Sequence, residues 1–567
     1  MKSLSKLSPV LVLALAGSAS GQAFPAVVEL SDLDGTDGFA LNGIVSGDSS
    51  GFAVSEVGDE NGDGIDDIII GAPYASRNGN FKAGEAYVVF GRNTGFSASE
   101  ELSDSNGVGV IVYYSVVPGD ELGTSVSSLG DVDGDGFNNF IVGAPKADPN
   151  GQSTAGSCFI ANSSLPVGAL YGINQYDLTG SSVSSAGDVN GDGLDDIIIG
   201  ANKASPGGQS EAGECYVVFG STTTFDSLPF ELATLDGTTG FVLTGIDAFD
   251  RTGASVSCAG DVNGDGLDDV IIGAPKADPG GRVDAGRAYV VFGSTSGFSA
   301  SIDLSTLDGS NGFVMNGIDA NDRCGQAVSS AGDLNGDGID DIIVGAFYAD
   351  PFSGTDAGET YVVFGRTTGF GATVDLSSLD GTDGFVINGE AFNNRSGWAV
   401  SSAGDVNADG LDDIIIGAWN ADVVGGGLFE GKSYVVYGRT ASFDASLDLS
   451  SLNGTYGFVM NGVNGGDRCG WSVSSAGDVN SDGIDDILIG APNADPAGLS
   501  GAGITYVVFG RRCLPDVNFD GMVTAADFTA WVVAFNNGLL PCDQNGDGMC
   551  DPADFNAWIA NFNIGCP

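Results

Sequence analysis

Asp188-Val189-Asn190-Gly191-Asp192-Gly193-Leu194-Asp195-Asp196, followed at once by Ile197-Ile198-Ile199-Gly200, is one of seven versions of a single phrase. The others begin at Asp59, Asp131, Asp261, Asp333, Asp405 and Asp478. Position 1 is always Asp. Position 3 is Asn61, Asp133, Asn190, Asn263, Asn335, Asn407 or Asn480, and position 5 is Asp63, Asp135, Asp192, Asp265, Asp337, Asp409 or Asp482. Position 9 is Asp67, Asn139, Asp196, Asp269, Asp341, Asp413 or Asp486.

Carboxylate and carboxamide oxygens at this spacing suit a hard cation, and Ca²⁺ takes six to eight of them at about 2.3–2.6 Å. The chain can encircle an ion only by turning sharply, and the invariant Gly at position 6 permits the positive φ required. Position 7 is apolar in every copy: Ile65, Phe137, Leu194, Leu267, Ile339, Leu411 and Ile484. Its carbonyl is the expected seventh-position ligand, and its side chain is expected to enter the core. Asn139 weakens the second site. Ala408 and Ser481 replace the position-4 Gly of the sixth and seventh copies and remove no ligand. Asp, Asn and Gly also dominate hairpin turns that bind nothing, but seven copies in one register favour the cation.

Around these loops the chain has 567 residues, 92 of them Gly, and a formal net charge of −56. So acidic a chain is a poor partner for nucleic acid, which requires a basic face. Lys2 and Lys6, an apolar run over 9–16 and small residues ending Gly21-Gln22-Ala23 read as a secretory signal cleaved after Ala23. No later run is long and apolar enough to span a bilayer, so the expected product is secreted, extracellular or attached to a cell surface. Cys158, Cys215, Cys258, Cys324 and Cys469 are scattered through the repeats; Cys158 and Cys215 share a column and are candidates to meet. Cys513, Cys542, Cys550 and Cys566 crowd the end as a disulfide framework.

The aspartates that open the phrases are 72, 57, 73, 72, 72 and 73 residues apart, a period that fits one four-stranded unit with generous loops. Runs such as Ile68-Ile69-Ile70 and Tyr87-Val88-Val89-Phe90 are continuously apolar, so both faces of those strands are expected to be buried. Small antiparallel sheets buried on both faces must stack on one another, and seven arranged radially make a propeller. An open solenoid would need capping repeats. The last repeat instead stops at Tyr506-Val507-Val508-Phe509-Gly510 without a closing strand. The chain begins with an orphan one, at Val27-Val28-Glu29-Leu30 and Leu33-Asp34-Gly35-Thr36-Asp37-Gly38-Phe39, which is expected to complete the seventh blade. The third repeat is short, and the stretch over 106–112 is degenerate.

Ala186-Gly187-Asp188 through Gly200, with Phe-Gly before and Gly-Ala-Pro after (Gly71-Ala72-Pro73, Gly273-Ala274-Pro275, Gly490-Ala491-Pro492), closely resembles the FG-GAP repeats of the integrin α-chain head. The resemblance covers about residues 24–512. It implies an all-β, seven-bladed propeller with calcium in hairpin loops on one face and ligand contacts from loops on the other. Here those opposite loops are 74–84, 146–156, 203–213, 276–286, 348–358, 420–431 and 493–503.

After Arg512 the pattern changes. Asp516, Asn518, Asp520, Met522, Thr524 and Asp527 form a twelve-residue EF-hand-type loop, and Asp543, Asn545, Asp547, Met549, Asp551 and Asp554 form a second. Each opens a helix, over 528–537 and 555–563, whose Phe528, Trp531, Val532 and Phe535, and Phe555, Trp558, Ile559 and Phe562, fall at helical spacing. Asp in place of Glu at position 12 and the tandem arrangement resemble a dockerin over 513–567, a small α-helical calcium domain. That implies a cohesin-like or other cell-surface partner, although Ala525-Ala526 and Pro552-Ala553 replace the hydroxyl pair dockerins often use.

No His is present, so neither a His-based nucleophile nor a His-bearing zinc site can be built. The expected function is that of a non-catalytic, calcium-binding adhesion or scaffold protein whose propeller presents one face to an unidentified protein or glycan ligand. The alternative is an extracellular polysaccharide-binding or polysaccharide-degrading component.

Overall fold

The computed structural model describes residues 24–103, 109–162, 166–223, 229–352, 354–511, 525–537 and 558. The signal sequence, both tail loops and the four tail cysteines lie outside them.

Each phrase links two strands of a small antiparallel sheet. In the fourth blade Ser255–Gly260 pairs with Asp269–Ala274, that with Arg287–Val291, and that with Gly312–Asn316. The first strand buries only two of its six residues, Val256 and Ala259, whereas every residue of Asp269–Ala274 is buried, as are the last four of Arg287–Val291. Continuous apolar runs give this result because neighbouring sheets cover both faces. The first strands of the seven blades lie against one another in sequence order, with Ser472–Gly477 of the seventh blade against Ala53–Gly58 of the first. The fold is an all-β, seven-bladed propeller.

Four strands per repeat is an incomplete description. Six sheets have five strands, because segments of two or three residues such as Ser301–Asp303 leave their own blade and pair in parallel with the outer edge of the preceding one, here Gly240–Thr244. An added strand covers an edge that would otherwise present unpaired backbone groups. The first blade, Ala53–Gly58 to Val110–Tyr114, has four. Its missing neighbour explains the short 57-residue interval: only residues 162–165 separate Ser157–Ala161 from Pro166–Tyr171 in the second blade, too few for the excursion.

The N-terminal residues pair far along the chain. Gly38–Asn42 is antiparallel to Ile504–Val508, with Gly38 opposite Val508, and Val27–Glu29 is parallel to the sixth blade's Gly457–Asn461. Phe24, 1% exposed, stacks on Phe458 at 3.9 Å.

Cys158 and Cys215 do not meet. Both are buried free thiols, as are Cys324 and Cys469; Cys258 is half-buried and free. Each is on a strand or against the next sheet, where it packs as a small apolar side chain. Beyond the propeller, Ala525–Asn537 is an α-helix, and Trp531 packs beside Trp558, both 5% exposed.

Candidate metal centres

The phrases form closed loops at the entrance to the second strand of each blade. In the first, Asp59 Oδ1 accepts the backbone N–H groups of Gly62 and Asp63 at 2.8 and 3.0 Å, and its Oδ2 accepts that of Gly64 at 2.7 Å. The same pattern holds at Asp188, where Gly191, Asp192 and Gly193 donate at 2.7, 3.0 and 2.8 Å. Position 5 then accepts the N–H of position 7, as in Ile65 to Asp63 at 3.1 Å. The turn stands on the position-6 Gly, whose φ is between 83° and 89° in all seven loops. Ala408 and Ser481 adopt left-handed φ of 58° and 61° at position 4 without opening their loops.

Position 9 has a second role. Asp67, Asp196, Asp269, Asp341, Asp413 and Asp486 are all 0% exposed. Asp196 Oδ1 accepts the N–H of Gly220 at 2.8 Å, and its Oδ2 that of Val189 at 3.1 Å. The carboxylate thus ties its loop to the Phe-Gly end of the third strand. Backbone approach is so close there that a Cβ on Gly220 would lie 2.4 Å from the Asp195 carbonyl oxygen, which is why the Phe is followed by Gly. An ionised carboxylate offers about four lone-pair sites, so two backbone donors leave capacity for a cation. Burial, reinforced by the carboxylates at positions 5 and 1, pushes Asp67 up to about 7 and Asp196, Asp269 and Asp341 up to about 8. It holds Asp413 and Asp486 well above the usual carboxylate range.

The second loop differs in kind. Asn139 is buried, accepts the Val132 N–H at 3.1 Å and leaves its Nδ2 without a partner. Asp133 stands where the other loops have Asn, and Asp131, Asp133 and Asp135 bring ligand oxygens within 4.8 Å of one another. That span is close to twice a Ca²⁺–oxygen distance of about 2.4 Å. Among the described residues no other loop gathers three carboxylates so tightly. The loss at position 9 is therefore offset at position 3. The donor set, all oxygen and dense in carboxylates, fits a hard cation.

The expectation that position 7 enters the core needs correction. Ile65 and Ile484 are buried, but Leu194, Leu267, Ile339 and Leu411 are half-buried and Phe137 is 55% exposed. The side chain lies at a blade junction: Leu194 Cδ2 would be 3.3 Å from a Cβ on Gly134 in the preceding loop, and Leu267 Cδ2 3.0 Å from one on Gly191. A Cβ on Gly62 would touch nothing, consistent with the exposure of Phe137.

Position 8 is adjacent to the ninth-position Asp and in sequence looks like part of the same acidic pair, yet it has a separate partner. Asp195 Oδ2 accepts the N–H of Asp131, Asp268 that of Asp188, Asp340 that of Asp261, Asp412 that of Asp333 and Asp485 that of Asp405, at 2.8–3.0 Å. Each bond runs to the preceding blade. Burial raises Asp195, Asp340 and Asp485, and neighbouring position-8 carboxylates add to the effect. The tail ligands named from sequence lie outside the described residues, save Asp527, whose backbone is in the helix Ala525–Asn537.

Segments 55–89, 179–218, 253–291, 325–363 and 470–508 match the FG-GAP repeat. Integrin alpha pat-2 of Caenorhabditis elegans is 30% identical over 290 residues, 50% of this chain and 21% of that protein. Integrin alpha-5 of Xenopus laevis is 30% identical over 234 residues, 39% of this chain and 20% of that protein. Phosphatidylinositol-glycan-specific phospholipase D of Dictyostelium discoideum is 26% identical over 335 residues, 56% of this chain and 32% of that protein. The chain thus spans no more than a third of the length of these relatives. The matched segments fall in the first, third, fourth, fifth and seventh blades, so the chain is a seven-bladed β-propeller that carries FG-GAP repeats and has integrin alpha chains among its relatives.

Proposed function

We propose that the chain is a secreted, non-catalytic binding protein whose propeller is held together by calcium and presents a recognition face opposite the cation loops. The observation that carries the calcium reading is the second loop, where three carboxylates converge to within 4.8 Å. The other six keep the same turn around Asp at positions 1 and 5. Two further ions are assigned to the tail through Asp516, Asn518, Asp520, Met522, Thr524 and Asp527, and through Asp543, Asn545, Asp547, Met549, Asp551 and Asp554. Bound calcium would neutralise part of each loop and fix the junction between first and second strands.

In this reading residues 24–42 close the ring, and the dockerin-like tail docks to a cohesin-like or other cell-surface partner. No described helix is long and apolar enough to cross a membrane. The likeness to integrin alpha chains supports adhesion or binding. The likeness to phosphatidylinositol-glycan-specific phospholipase D supports a second reading, a segment of an extracellular hydrolase. Affinity capture from the native extracellular fraction, with calcium and with chelator, tests the first: a partner retained only with calcium supports it, and no calcium-dependent partner overturns it. Turnover of polysaccharide or glycosylphosphatidylinositol by the purified chain would establish the second.

A further inference from the structure

The propeller face opposite the cation loops holds a second concentration of chemistry. Four positions before the first strand of each blade stands a non-glycine residue in a left-handed conformation. In the fourth to seventh blades it is Arg251, Arg323, Arg395 or Arg468, with φ of 58–59°. Arg251 meets Glu211 at 3.1 Å and Arg323 meets Asp284 at 3.5 Å. Among the described residues Arg395 and Arg468 have no carboxylate within 4 Å, although the chain carries 75 acidic residues against 19 basic ones.

These two guanidiniums lie on rings instead. Arg395 is 5.2 Å above Trp419 and 5.0 Å above Tyr348; Arg468 is 4.7 Å above Trp419 and 5.7 Å above Trp471. Trp398 joins the cluster, 5.0 Å from Trp471 and 5.7 Å from Trp419. Trp419 is only 8% exposed, and its indole Nε1, like Arg395 Nε, has no hydrogen-bond partner. A buried donor left unpaired costs free energy, and each instance calls for an explanation. Two members of the cluster, Trp398 and Trp471, line a cavity of ≈ 250 Å³ at the mouth of the central channel together with Thr124, Ser181 and Gln326, while Trp419 and the two arginines stand outside its lining.

We infer that this site binds an acidic polysaccharide through a hexuronate unit, an inference that rests on the reading of the propeller as a binding module. The apolar surface is aromatic rather than aliphatic. Flat indole faces suit the C–H face of a pyranose, and an indole N–H suits a hydroxyl. A guanidinium held in place by stacking presents a planar fork matched to a carboxylate. The two half-buried arginines without counter-ions are then the parts of the site that the ligand completes. The two guanidiniums without counter-ions favour an anion at this point, even though the same face carries the buried carboxylates Asp250, Asp322 and Asp467.

Calorimetry of the full chain in millimolar calcium, with β-1,4-linked hexaglucuronate, tests this against cellohexaose, which carries hydroxymethyl groups in place of the carboxylates. Hexaglucuronate is expected to bind at least about tenfold more tightly than cellohexaose. The double variant Arg395→Gln, Arg468→Gln is expected to weaken it about ten- to a hundredfold with the melting temperature unchanged, since Gln tolerates the same backbone as Arg. Trp398→Ala should weaken both sugars. Equal affinity for cellohexaose, full affinity in the double variant, preference for hexaglutamate or no binding of hexaglucuronate would each overturn the proposal. A calcium-dependent protein partner captured by a chain that ignores hexaglucuronate would retire this site and leave the general binding role standing.

Discussion

Asp66 Oδ2, in the first blade, accepts the backbone N–H of Asp478, in the seventh, at 2.9 Å across 412 residues of sequence. It is the same bond that Asp195, Asp268, Asp340, Asp412 and Asp485 make to the blades that precede them. Position 8 therefore works as an inter-blade tie while position 9 works within its own blade. The Gly before each opening aspartate follows from this: a Cβ on Gly477 would lie 2.5 Å from Asp66 Oδ2, and its φ of 61° is left-handed as well.

Loss of one such tie should be measurable. Asp268→Ala leaves the N–H of Asp188 without its acceptor at a partly buried junction, and a destabilisation of about 1–3 kcal/mol is expected. Asp268→Asn keeps an acceptor oxygen and should cost less. Denaturant midpoints of the two variants check the order, and equal midpoints would remove the tie from the account.

Calcium removal should lower stability in steps that reflect many sites. A ligand that binds only the folded state adds RT ln(1 + [L]/Kd), about 2.7 kcal/mol per site at a hundredfold excess over Kd. Excess chelator is expected to lower the melting temperature by many degrees, and calcium added back should restore it. The same melt in chelator and in millimolar calcium would end the cation reading of the loops.

Without calcium the protein should gain stability on mild acidification. Burial pushes Asp48 and Asp322 up to about 7 and Asp250 up to about 6, from 3.8. Between about pH 4 and 7 the folded chain then binds more protons at these sites than the unfolded chain, so their contribution to stability falls as pH rises through that window and levels off above it. In chelator, the melting temperature at pH 5.5 should exceed that at pH 8. The reverse order would mean that these carboxylates are ionised at little cost.

Much of this was legible because it is local or periodic. Seven Asp-rich loops in one register announce themselves, and the continuous apolar runs after them fix two strands per blade by composition alone. What escaped is non-local. Ser301–Asp303 is short and half polar, and only its pairing with Gly240–Thr244, about sixty residues earlier, makes it a strand. Asp195 and Asp196 are neighbours in sequence, yet one faces the previous blade and the other its own. Phe52, Trp398 and Trp471 occupy one column of the repeat, a signal that could have been read; Trp419 lies outside it and joins them only through the fold.

The N-terminal segment gives the sharpest test of how the ring is held. In the first blade Arg92 lies 4.3 Å above Phe96, four residues later, and Phe96 stacks on Phe39 at 4.1 Å. In the fifth, Arg366 lies 4.3 Å above Phe370, which stacks on Phe313 at 4.3 Å. At the two ends of the propeller Arg511 lies 5.2 Å above Phe24, which stacks on Phe458 at 3.9 Å. Residue 24 thus stands where the fourth residue after Arg511 would stand in a continuous repeat. Phe24→Ala is expected to cost about 3–5 kcal/mol, the range for a large buried aromatic, and deletion of residues 24–45 should cost far more, because it also strips Ile504–Val508 of its partner strand. A circular permutant that joins Arg511 to Phe24 through three residues, with new ends in the exposed loop at 424–428, should fold and melt near the parent. A deletion that melts like the intact chain, or a permutant that fails to fold while its loop-opened but unjoined counterpart folds, would show that the ring is held by contacts other than these.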